Sequence, residues 1–179
     1  MTSRGARRAE IAVHEAGHSV AAVLLGARVN GIHVGDELFA DRPGWTKYVI
    51  RDDVRVPDRE IIYAGPWAEA RWRAGRAPGR SQIMAALAGT EDLDDLQAAQ
   101  SSGELLPSRD VNEALEELWR PAILPVAKLL CEHGTLTHRD VADVLGLSTF
   151  DGPIFSTLAG PDRGWHLRCR SRSRPPTFA

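Results

Sequence analysis

The chain has 179 residues, 43% hydrophobic and 26% charged, enough for one domain with a full core. A net charge of −2 supplies no global attraction to nucleic acid or to an anionic membrane, and two cysteines are too few for a disulfide framework or a cysteine-built zinc site. The longest apolar run, Val20 to Leu25, falls far short of the ~20 residues a membrane span needs, so the expectation is a cytoplasmic protein without a membrane span.

Residues 7 to 25 read as a helix carrying His14-Glu15-Ala16-Gly17-His18, ended by Gly26. Residues four apart lie one turn above each other, so His14 and His18 point the same way and can share one metal. Glu15 sits one step round, able to reach a water on that metal without binding the metal itself. Ala16 and Gly17 leave room beside the motif. Ile11, Val13, Val20, Val23, Leu24 and Leu25 make the helix largely buried, where polar side chains need partners and a metal supplies one.

Two β-rich runs follow, Val29 to Val34 and Trp45 to Ile50, separated by the turn-rich Gly35 to Gly44. They predict a small sheet beside the helix, and an extended peptide can bind such a sheet by adding itself to an open edge. Asp58 to Arg73 reads as a helix with Ile61, Ile62, Ala64, Ala68 and Trp72 as its buried stripe, followed by a loop over residues 75 to 80. Residues 90 to 100 start with an N-cap threonine and acids in the first turn. Val111 to His133 predicts a long helix bent at Pro121 or Pro125, and Thr137 opens a shorter helix ending at Gly146. Residues 163 to 179 hold five arginines, no acid and two adjacent prolines, which reads as a solvated, disordered tail rather than a nucleic-acid-binding segment.

A catalytic zinc usually takes three protein ligands and keeps a fourth position for water. Ser19 to Leu25 contains neither the glycine nor the third histidine of the metzincin pattern, so the third ligand must come from farther along. Glu69, Asp92, Asp94 and Asp95 qualify, with His33 and His133 weaker alternatives.

The motif and its surroundings, Tyr63-Ala-Gly-Pro-Trp-Ala-Glu-Ala70, and the acidic turn occur in the order seen in the peptidase domain of FtsH-type ATP-dependent zinc metalloproteases. That family shows His-Glu-Ala-Gly-His, a Gly-Gly-Arg-Ala-Ala-Glu-Glu helix, and an Asn-Asp-Leu-x-x-Ala stretch whose aspartate is the third zinc ligand. Residues 7 to 147 resemble it, closing with helices like Val111 to Leu145 and a turn resembling Thr135-Leu136-Thr137. The resemblance implies a mainly α zinc-peptidase domain over 1–147, with a two- or three-stranded sheet beside the motif helix; the Arg-rich tail over 148–179 has no counterpart in the family. It makes His14 and His18 metal ligands and Glu15 the catalytic base. Asp94-Asp95-Leu96-Gln97-Ala98-Ala99 matches the aspartate stretch with Asp95 as ligand, the preferred register because Ala99 then falls where the family has alanine; a three-residue shift makes the ligand Asp92. Glu69 matches a family glutamate and is read as support for a ligand histidine.

The expected function is therefore that of a Zn2+-dependent metalloendopeptidase. No ATPase module accompanies the motif in these residues, so the expected substrates are unfolded or short polypeptides, taken alone, as a homo-oligomer or from a separate ATPase. The competing expectation is a non-catalytic binding or regulatory module on the same fold.

Overall fold

The computed structural model describes residues 3–35, 43–50, 58–99 and 105–147. The tail of residues 148–179 and most of the turn between the two predicted strands lie outside the described residues. What is described is mainly helical with one small antiparallel sheet.

Helix α1, Ser3–Leu24, is the central element. Ala12, Val13, Ala16, Val20 and Ala22 are buried along it, and Gly26 ends it with φ 87°, a left-handed conformation that suits glycine. Its chief partner is α2, Asp58–Ala74. The two helices pack closely because small residues face one another: a Cβ on Gly17 would lie 2.4 Å from the Ala64 carbonyl oxygen and 2.9 Å from the Ala68 Cβ. Helix α2 is buried over much of Ile61 to Ala70 and emerges from the core in its last turn. Trp72, expected in the buried stripe, is therefore 41% exposed, while Trp67 fills the core and packs edge-on against Trp119.

Strands β1, Arg28–Val34, and β2, Gly44–Val49, pair antiparallel. The third strand, β3, is the short Thr135–Leu136, which pairs with the other side of β1 at Ile32 and His33 and gives the order β2-β1-β3. The sheet packs on α1. In its register Thr46 lies opposite Ile32, so Thr46 shares the face turned to α1, whereas His33 and Trp45 lie opposite each other and stack with ring centroids 5.7 Å apart.

Arg80–Leu87 forms a helix, α3, that the residue pattern did not predict. Helix α4, Glu91–Ala98, follows Thr90 at its N-cap position, although the Thr90 hydroxyl donates back to the Leu87 carbonyl at 2.8 Å instead of capping the new helix. The predicted long helix is broken into α5, Arg109–Leu118, a π-helical turn over Trp119–Ile123, and α6, Leu124–His133. Pro121 lies in the wider turn, where its missing N–H and its ring are accommodated. Arg71 on α2 pairs with Glu116 on α5 at 2.8 Å and lies over the Trp119 ring at 5.0 Å, joining α2 to α5 and the π-helical turn. Helix α7, His138–Val144, has Thr137 as N-cap, accepting from the Asp140 N–H and donating to the Asp140 carboxylate at 2.7 Å; Gly146 beyond it has φ 68°.

Candidate metal centre

Helix α1 places His14 and His18 one turn apart, and α2 orients both rings. His14 Nδ1 donates to Glu69 Oε2 at 2.9 Å, and His18 Nδ1 donates to the Ile61 carbonyl at 2.8 Å. Carboxylate and carbonyl oxygens only accept, so each neutral ring carries its proton on Nδ1 and presents a bare Nε2 lone pair to the other. Those two Nε2 atoms are 3.0 Å apart. Two lone pairs at that distance repel unless a cation lies between them.

Asp92, in the first turn of α4, completes the cluster. Its Oδ2 lies 3.1 Å from His14 Nε2 and its Oδ1 3.4 Å from His18 Nε2. Bonds of about 2.0–2.1 Å at tetrahedral angles separate ligand atoms by about 3.3–3.4 Å. The observed 3.0, 3.1 and 3.4 Å separations come close to that spacing. His14, His18 and Asp92 can therefore hold a metal ion, and two imidazoles with one carboxylate suit zinc without being confined to it.

The electrostatics agree. Burial disfavours charge on His14, but hydrogen bonds to Asp92 and Glu69 and the nearby Glu15 carboxylate outweigh it and raise the His14 pKa from 6.5 to about 10. His18 is raised as well: burial opposes, and the charge and hydrogen bond of Asp92 prevail. Burial would push Asp92 upward, yet the two histidines hold its carboxyl well below the usual carboxylate range. All three directions describe a pocket that favours positive charge at one point.

The structure brings Asp92 to the histidines and leaves Asp95, the preferred register, outside. Leu96 is fully buried and anchors α4. Asp92 lies four residues before it, on the same inward face, while Asp95 is one residue away, about 100° round the helix, and is exposed. Asp94 is exposed too, as is His133, and His33 lies on the far side of the sheet against Trp45. Glu69 reaches His14 through Nδ1, the ring nitrogen turned away from the cluster.

Glu15 is 6% exposed and takes no part in the ligand set. Thr46 Oγ1, from β2, donates to its Oε2 at 2.7 Å. Gly44, at the start of β2, admits this approach: a Cβ there would lie 2.5 Å from an Ile11 methyl and 2.8 Å from Glu15 Oε1. Gly65 does the same for a ligand, since a Cβ on it would lie 2.2 Å from His18 Nε2. Tyr48 on β2 donates to Asp58 Oδ1 at 2.5 Å, and burial, then Asp58, Asp95 and Asp92, raise its pKa, so it stays a neutral donor near the acidic turn.

Thr46, Gly44, Gly65 and the Ile61 carbonyl were not legible as site residues, because no spacing rule links β2 or the middle of α2 to the motif. The choice of Asp92 did leave a signal: Leu93, Leu96 and Ala99 form the apolar stripe of α4, and Asp92 lies closer to it than Asp95. No family model matches the chain, and no curated protein matches it.

Proposed function

We propose that the protein is a zinc-dependent metalloendopeptidase acting on unfolded or short polypeptides. The observation that carries this reading is the buried Glu15 carboxylate, held by Thr46 beside a convergent His14, His18 and Asp92 set without being one of its members. A site that only bound a metal for stability has no need of such a base.

His14, His18 and Asp92 would hold the ion, which would supply a Lewis acid and an acidified water. Glu15 takes a proton from the attacking water on its carboxylate and returns it to the leaving amide nitrogen. Thr46 donates to Oε2 and so keeps that oxygen of the carboxylate in place. Among the described residues β2 is an edge strand, and it starts at the glycine that touches Glu15. An extended polypeptide pairing with β2 would run past the base, with its backbone rather than its side chains recognised. No described helix is long and apolar enough to cross a membrane. A cytoplasmic setting accords with the two cysteines, and a separate ATPase or a ring of copies is the expected source of unfolded substrate.

The test is hydrolysis of casein by purified wild type and Glu15→Gln, with zinc measured in both. About one zinc in each sample and cleavage by wild type alone supports the peptidase. Zinc in both with no cleavage by either overturns a self-sufficient peptidase and leaves a partner-dependent enzyme or the non-catalytic binding module, and cleavage retained by Glu15→Gln removes Glu15 from the role of base.

A further inference from the structure

The carboxylate that orients His14 is itself held by a second pair of charges. Glu69 divides its oxygens: Oε2 accepts from His14 Nδ1 at 2.9 Å, and Oε1 accepts from an Arg73 terminal nitrogen at 2.6 Å. Arg73 in turn donates through Nε to Glu10. Glu10 lies one turn before His14 on α1, and Arg73 one turn after Glu69 on α2. The chain Glu10, Arg73, Glu69, His14 thus closes a loop between the two helices that carry the metal centre.

We propose that Arg73 is a positioning residue for the metal centre, acting through Glu69 on His14. A carboxylate hydrogen-bonded through one oxygen can still swing about its last torsion. Engaging the other oxygen removes that freedom and keeps Oε2 in line with Nδ1, which holds the His14 Nε2 lone pair on the point shared with His18 and Asp92. The guanidinium suits the task because its planar fork serves Glu10 and Glu69 from different nitrogens at once, which an ammonium on a flexible stem does less well. Glu69 is 14% exposed at its side chain and Arg73 52%, so the pair lies at the boundary where solvent reaches the arginine but little of the carboxylate. Solvent weakens the Arg73 contact, and its effect on the metal is accordingly smaller than that of Glu69 itself.

This inference rests on the metal-centre reading. Its test is a double-mutant cycle on Zn2+ affinity, measured by competition with a chromogenic chelator for wild type, Arg73→Ala, Glu69→Ala and the double variant. Melting of the metal-free samples checks that each is folded. Glu69→Ala is expected to weaken Zn2+ binding about 10- to 100-fold, and Arg73→Ala about three- to fivefold. Adding Arg73→Ala to Glu69→Ala is expected to change nothing further, because the arginine then has no carboxylate to hold. Arg73→Lys, which keeps the charge without the fork, is expected to fall between wild type and Arg73→Ala. Unchanged affinity in Arg73→Ala overturns the proposal, as does an equal loss in both backgrounds, which would be a general effect of charge or stability. Wild type that takes up no Zn2+ overturns the metal reading and this proposal together, an outcome distinct from the other two.

Discussion

His14 Nε2 and His18 Nε2 face each other at 3.0 Å while both Nδ1 atoms are already donating to Glu69 and Ile61. The fold therefore holds two like lone pairs in contact, with Asp92 beside both. A proton or a metal ion resolves that conflict, and the two compete for the same point.

Stability of the metal-free protein should depend on that proton. The folded His14 pKa, about 10, stands above its ordinary value of 6.5. A raised folded value means that the stabilisation is fully present below pH 6.5 and is lost as pH rises through about 10. The melting temperature of metal-free protein should fall across that window, and His14→Gln should flatten the fall. Zinc uptake at neutral pH should release protons, measurable as a dependence of binding heat on buffer ionisation enthalpy.

Asp92 and Asp95 should separate cleanly. Asp92→Asn removes the charged ligand and should weaken zinc binding by about 100-fold or more, beyond the range typical of outer partners. Asp95→Asn, at an exposed position, should stay within about twofold of wild type. Chelator competition on the two variants distinguishes them, and the reverse order would return the third ligand to Asp95.

Gly65→Ala should damage the centre although glycine has no functional group. Its new methyl would lie 2.2 Å from His18 Nε2, so the ring or the helix must move. Overpacking of this kind costs about 1–3 kcal/mol, and zinc affinity should fall with it. Gly79→Ala, with only the Gln82 side chain at 3.8 Å, is the control that should leave zinc binding intact.

Thr46→Val should divide binding from catalysis. It removes the hydroxyl on Glu15 Oε2 and leaves every ligand in place. Zinc content should match wild type while casein turnover drops about tenfold, within the effect expected of a misaligned base. A loss of zinc in this variant would mean that Thr46 supports the fold of α1 instead.

The local part of this protein was legible in its residues, and the reasons are periodic. Spacing of four put His14 and His18 on one face, β-branched and aromatic runs marked both strands to within a residue, and Thr137 and Gly146 bounded α7. Resemblance supplied the notion that an aspartate near residue 92 or 95 completes the set. Where the residue pattern failed, a contact distant in the chain had decided the outcome. Trp72 has the phase of a buried residue, but among the described residues the last turn of α2 is not covered well enough to bury it. The bend expected at Pro121 or Pro125 is a π-helical turn that accommodates Pro121, with Trp119 of that turn packed against Trp67 and Arg71. The sequence by itself determined that two imidazoles and a carboxylate would share a helix, because one helix's geometry is enough for that. Only the tertiary structure decided which aspartate meets them, that Thr46 holds the carboxylate, and that Glu69 and Ile61 set the tautomers, since those groups come from α4, β2 and α2 and meet α1 only when the core packs.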